Sequence, residues 1–282
     1  LKRITVKRIA LISAAIAALA SSALAQYPVS PPVETLKGTP VTPRRLPDGK
    51  PNWTGFWIPA GGLLDVYRGP SGVTGLNLGD ANVPRKREDI PAMKSPYKEQ
   101  YEALFAPGAK ALPDPAALCF PVGMPRIMMM TYGMEILQTP KIVSMTSEWQ
   151  AGFRRIWMDV KAHPPADELD ETYNGHSIGR WVGDTLVVET VGLRQDITLD
   201  TSRIPHGPRT KIVERFSEVS PGVLVDDITI EDPDVFVTPW TYRYVYLHKP
   251  DLRLREYVCL ENNRNIDEAG SADFGPPQAT AK

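Results

Sequence analysis

From Met128 onward, apolar and polar residues alternate in short runs separated by turn residues. Successive side chains of a strand point to opposite faces, so this period of two predicts strands. Runs over 141–149 and 153–159 flank Gln150-Ala151-Gly152, and runs over 176–181 and 185–191 flank Val182-Gly183-Asp184. Runs over 211–219 and 223–230 flank Ser220-Pro221-Gly222, and 241–248 and 252–259 flank Lys249-Pro250-Asp251. Each pair carries a hairpin signal. Residues 131–137 add a possible ninth strand. The pattern predicts an all-β fold, an antiparallel meander of roughly eight strands closing into a lipocalin-like barrel, because closure removes exposed edges. A two-sheet sandwich is the runner-up.

Ahead of the strands the texture differs. Between Tyr27 and Asp114 the chain is dense in Pro, Gly, Asn and Asp, which forbids long regular elements. Trp53, Phe56, Trp57, Leu63, Leu64 and Tyr67 are too apolar for a free linker. The expectation is an extended arm over 26–115 packed on the domain by its aromatics, with one helix over 96–105. Residues 1–25 read as a signal peptide. Lys2, Arg3, Lys7 and Arg8 precede an apolar run, and Ala23-Leu24-Ala25 is a small-x-small cleavage site. The division expected is therefore a leader (1–25), the arm (26–115), a barrel domain (116–265) and a flexible C-terminal tail (266–282), in a periplasmic or secreted protein.

Charge removes some partners. With Lys+Arg 32 against Asp+Glu 33 the net charge is -1, and no basic cluster is dense enough to track nucleic acid. No later segment is apolar for long enough to span a bilayer, so stable membrane insertion is not expected. The two cysteines, Cys119 and Cys259, form an even pair in an oxidising compartment and are expected to bridge, tying the start of the domain to its last strand.

Candidate chemistry is sparse. The four histidines, His163, His176, His206 and His248, show no metal-ligand spacing, there is no G-x-S-x-G elbow, and no glycine-rich phosphate loop follows a strand. No metal and no nucleotide cofactor is therefore expected. Acid–base chemistry by His, Glu, Asp, Arg and Tyr remains. His176 opens a strand between Gly175 and Gly179, which admit close approach. Glu148 and Arg154 flank the first hairpin, and a tight turn there would put them on paired strands where they could pair. The catalytic candidates are His176, Glu148 and Arg154. Asp159, Tyr242, Glu189 and Arg215 are substrate-binding candidates, with Glu189 mid-strand among apolar residues and in need of a partner such as Arg215. The row Tyr242, Tyr244, Tyr246 is read first as exterior cross-strand packing and second as a lumen lining. Met128, Met129 and Met130 read as core filling or a pocket mouth.

Four blocks carry a resemblance. They are Leu46-Pro47-Asp48-Gly49-Lys50-Pro51-Asn52-Trp53-Thr54-Gly55-Phe56-Trp57, Cys119-Phe120-Pro121-Val122-Gly123-Met124-Pro125-Arg126, Gly175-His176-Ser177-Ile178-Gly179-Arg180-Trp181-Val182-Gly183-Asp184-Thr185-Leu186 and Glu256-Tyr257-Val258-Cys259-Leu260-Glu261-Asn262. Together they resemble a large group of uncharacterised exported bacterial proteins of proteobacteria and acidobacteria. The resemblance spans nearly the whole mature chain and implies a discrete exported globular domain; it carries no activity over. The chain departs from the group at Asp159-Val160-Lys161, where relatives show Asp-Gly-Arg, which weakens a role for Lys161. Three functions stay open. The first is an exported enzyme using metal-free acid–base chemistry (hydrolysis, elimination or isomerisation) on a small apolar or aromatic molecule in the barrel cavity. The second is a lipocalin-like carrier of such a molecule. The third is a structural protein of the envelope. The discriminator is whether His176, Glu148 and Arg154 meet in one cavity.

Overall fold

The computed structural model of the chain describes residues 44–59, 91–109, 115–130, 132–200 and 203–261. The leader and the tail lie outside these residues. Nine strands close into one barrel in chain order: β1 (Gly55–Pro59), β2 (Met134–Gln138), β3 (Ile142–Ser147), β4 (Phe153–Trp157), β5 (His176–Val182), β6 (Thr185–Val191), β7 (Lys211–Ser220), β8 (Val223–Glu231) and β9 (Trp240–His248). The all-β barrel is as expected, but it has nine strands and is not a pure meander. All neighbouring pairs are antiparallel except β4 and β5, which run parallel. The one α-helix among the described residues, α1 (Tyr97–Ala103), falls inside the predicted span and buries Tyr101.

The parallel pair shapes everything that follows. A parallel neighbour cannot be reached through a tight turn, so the chain needs a long crossover. Residues 158–175 make it. The crossover is fastened to the end of β6: Thr172 N donates to Gly192 O at 3.0 Å, and Arg194 N to Thr172 O at 3.0 Å. It re-enters the barrel at Gly175, whose φ is +64°; a Cβ there would sit 2.5 Å from Val191 O, so only glycine fits.

The closing strand comes from the proline-rich arm. β1 pairs with β2 on one side and β9 on the other, and it brings the buried Trp53, Phe56 and Trp57 with it. Residues 252–259, whose alternation predicts a strand, form none. The reason is that both edges of β9 are taken, by β8 and by β1. Lys249 N donates to Phe56 O at 2.8 Å, and from there the chain runs as an irregular strap. Tyr257 of the strap stacks on Trp149 with ring centroids 5.3 Å apart, and the disulfide Cys119–Cys259 fastens its end. The expected bridge exists, but it ties down a strap and not a strand.

Inside the barrel, Ile156, Leu186, Val188, Ile212, Phe216 and Ile228 are all buried. Of the tyrosine row, Tyr244 and Tyr246 point inward, against the first reading. Tyr244 and Tyr246 are buried, and their hydroxyls donate to the carbonyls of Met129 (2.9 Å) and Met128. They hold the 3-10 turn Arg126–Met129 against the barrel interior, and Met128 and Met129 fill the core there. The side chain of Tyr242 lies outside the described residues.

Candidate functional site

His176 opens β5. Its neighbour Ser177 is buried and faces the barrel interior, so alternation turns the imidazole to the outer wall. Glu189 lies opposite Ile178 on β6 and also faces out. The crossover passes over this wall and lays His163 between them. His163 Nδ1 is 2.8 Å from His176 Nδ1, with the rings at 74° and their centroids 5.1 Å apart. His163 Nε2 is 3.3 Å from Glu189 Oε1, within ion-pair reach but off the line of an N–H, so that contact is more electrostatic than a directed hydrogen bond. Lys211 of β7 stands behind, 3.6 Å from Glu189 and 2.8 Å from Glu231.

The protons in this array follow from its charges. Burial pushes the His163 pKa down, reinforced by the neighbouring His176, while Glu189 pulls the other way. Burial also lowers His176. Both rings are therefore neutral at pH 7. The Glu189 carboxylate favours the N–H of His163 on Nε2, which leaves Nδ1 as an acceptor. Two facing Nδ1 atoms at 2.8 Å need one proton between them, so His176 supplies it from its own Nδ1–H. That leaves a lone pair on His176 Nε2, which has no protein partner among the described residues. The arrangement is a base backed by a second imidazole and a carboxylate. A proton taken up at Nε2 makes an imidazolium whose charge is shared toward Glu189. His163 faces its two partners through opposite ring nitrogens, so the three groups cannot close around a single ion. No group of three or more His, Cys, Asp or Glu among the described residues has metal-holding geometry.

A second polar cluster sits inside the barrel. Arg154 of β4 is 2% exposed and Glu214 of β7 0% exposed. They form a bidentate pair, with Arg154 Nη1 to Glu214 Oε1 at 2.8 Å and Nη2 to Oε2. Arg154 also donates to Ser177 Oγ (3.2 Å) and Thr190 Oγ1 (2.9 Å), which are 2.8 Å from each other. Four of the five guanidinium N–H groups are thus engaged. Beside the pair, Asp226 of β8 is 0% exposed, and neither carboxyl oxygen has a hydrogen-bond partner. Burial, then the charge of Glu214, drives its pKa well above the usual carboxylate range, and Arg154 only partly offsets this. The fold thus favours the protonated form of Asp226.

The three catalytic candidates do not converge, which counts against the expected enzyme with its site in the barrel cavity. His176 is on the outer wall and Arg154 is inside. Glu148 accepts from Gly133 N and Arg255 N, both at 3.2 Å, and so braces the C-terminal strap. The Glu148–Arg154 pair that a tight turn would allow is replaced by Arg154–Glu214, because β4 turns Arg154 into the barrel while Glu148 precedes the turn at its rim. Glu189 does face a cation, but it is Lys211, and the neutral His163 ring lies beside it; Arg215 is exposed beside Val187 and Asp227 in register. Asp159 is exposed just past β4. His163, Glu214 and Asp226 were not singled out from sequence. One signal for His163 was readable: the stretch between 159 and 176 is too long for a hairpin and implies a crossing chain.

Two clefts of about 270 Å³ and 310 Å³ lie where the 192–206 connection meets residues 115–126 and α1. They share Asp196, Ile197 and Thr198 as a common wall. Comparison with protein-family models and with curated protein sequences finds no match to the chain.

Proposed function

We propose that the protein is an exported enzyme working by metal-free general acid–base chemistry on a small apolar or aromatic molecule. His176 Nε2 is the base, and His163 and Glu189 are the relay behind it. The observation that carries this reading is the 2.8 Å contact between the two Nδ1 atoms, which leaves the outer nitrogen of His176 as the lone pair. Hydrolysis, elimination and isomerisation all begin with removal of a proton from water or carbon, and a neutral, oriented imidazole performs that step at neutral pH. The reaction seat is the outer wall of the barrel. The interior is occupied by large side chains, and its arginine is committed to Glu214.

The test is turnover. Purified mature protein is incubated at pH 7 with a mixture of small aromatic and apolar metabolites, and depletion is followed by mass spectrometry. Wild type depletes at least one compound and His176→Ala does not, while still binding it. His163→Gln retains partial activity. Equal depletion by wild type and His176→Ala overturns the assignment. Binding without depletion by either favours a carrier, and no binding at all favours a structural role. Once a substrate is known, the pH profile follows from the depressed histidine pKa values. Activity rises on an acid limb with its midpoint below the ordinary 6.5 and is level through neutrality.

A further inference from the structure

The outer face of β4 carries a cation that the fold leaves unpaired. Side chains alternate along the strand, and Arg154 and Ile156 are buried in the barrel, so Phe153, Arg155 and Trp157 line the outer wall. Arg155 is exposed and makes no hydrogen bond or ion pair among the described residues. Its guanidinium lies over the Phe153 ring, 5.4 Å from the centroid, and that ring is itself 60% exposed. β5 runs parallel beside β4, with Ile156 opposite Ser177 and Trp157 opposite Ile178, so one step back Arg155 falls opposite His176. Asn174 Nδ2 donates to Phe153 O at 2.8 Å and keeps the two chains in line there. Arg155 and His176 both face outward on neighbouring strands, about 5 Å apart at the backbone. The acids of this wall do not take the cation. Glu189 is one strand further on and is held by His163 and Lys211. Glu135 lies two strands to the other side, in line with Phe153 across Thr146. An exposed ring, an unpaired fork of N–H donors and a base on one face suit a molecule with an apolar body and a carboxylate.

We propose that the substrate at His176 is a small aromatic carboxylate, its carboxylate held by Arg155 and its ring seated on Phe153. This rests on His176 being the base, and it narrows the substrate from any small apolar molecule to an acid. Arg155 sets the specificity, because an uncharged analogue cannot fill its fork with two acceptors.

The experiment is isothermal titration of the intact, oxidised mature protein at pH 7 with 2-naphthoate, and with 2-naphthalenemethanol as the uncharged analogue. The acid binds about tenfold more tightly than the alcohol. Arg155→Gln brings the two to equal, weak binding, and Phe153→Ala weakens both several-fold. Both side chains are exposed, so these variants keep the fold. Arg180→Gln removes another exposed guanidinium, further along β5, and changes neither affinity, which separates a placed cation from bulk charge. The second readout is location. The histidine NMR signal that disappears in His176→Ala shifts when 2-naphthoate is added to wild type and stays still in Arg155→Gln. No binding of 2-naphthoate, equal affinity of wild type for acid and alcohol, an Arg155→Gln protein that binds as wild type does, or binding that leaves the His176 signal unmoved overturns the proposal. Titration reads binding without turnover. Failure of the base assignment shows instead as equal depletion by wild type and His176→Ala.

Discussion

At the scale of single residues, the barrel holds a carboxyl group whose ionisation the fold opposes. Asp226 is fully buried beside Glu214, its oxygens accept no hydrogen bond from a donor, and its folded pKa lies well above 3.8. The unfolded chain therefore releases this proton as pH rises through about 4, while the native state retains it, so stability is lost with rising pH. Asp226→Asn removes that loss and keeps the shape. The variant should unfold at a higher temperature than wild type at pH 7, with the difference shrinking on acidification and vanishing below pH 3.8. Calorimetry at several pH values checks this; a variant less stable at pH 7 would show that Asp226 is charged in the fold. The neighbouring pair behaves differently. Arg154→Met strands the Glu214 charge at 0% exposure, which costs about 3–5 kcal/mol. Arg154→Met with Glu214→Leu should recover most of that loss in urea unfolding, because Ser177 and Thr190 still bond each other at 2.8 Å.

At the scale of elements, β1 is the decisive strand. It is 5 residues long and comes from the proline-rich segment, yet it joins β2 to β9 and closes the ring. Gly55 makes this possible. Its φ of +141° is a conformation that side chains rarely adopt, and a Cβ would sit 2.7 Å from His248 Nε2. Gly55→Val should cost about 1–3 kcal/mol in backbone strain alone. It should also loosen β1, uncovering the edges of β2 and β9, so light scattering should report association that wild type does not show. A monomeric Gly55→Val protein of native stability would contradict this role.

At the scale of the whole molecule, the disulfide ties the segment ahead of β2 to the C-terminal strap. The disulfide spans 140 residues and clamps the 249–261 strap, with its Tyr257–Trp149 stack, to the start of the barrel segment. For a loop of that length the chain-entropy account gives about 5 kcal/mol. Reduction should therefore lower the melting temperature by roughly 10–20 °C in a protein of this size. A melting curve with and without reductant measures it. Unchanged melting after complete reduction, verified by thiol titration, would show that the strap is held by packing alone.

Alternation over 141–159, 176–191, 211–230 and 241–248 was enough to place strands, because a half-buried strand must present apolar residues every second position. The helix was legible for a similarly local reason, and the cysteine pairing because the sequence holds two cysteines and no more. What the sequence left open depends on which elements meet. The alternation of Arg253, Arg255 and Tyr257 is that of a strand, but a strand needs a free edge, and β1 had already taken it. The same limit applies to the sites. Arg154 and Glu214 lie 60 positions apart and are joined across the barrel; His163 reaches His176 only because β4 and β5 are parallel and the chain must cross outside them. Periodicity reports the face a residue occupies, while the partner on that face is chosen by how the barrel closes.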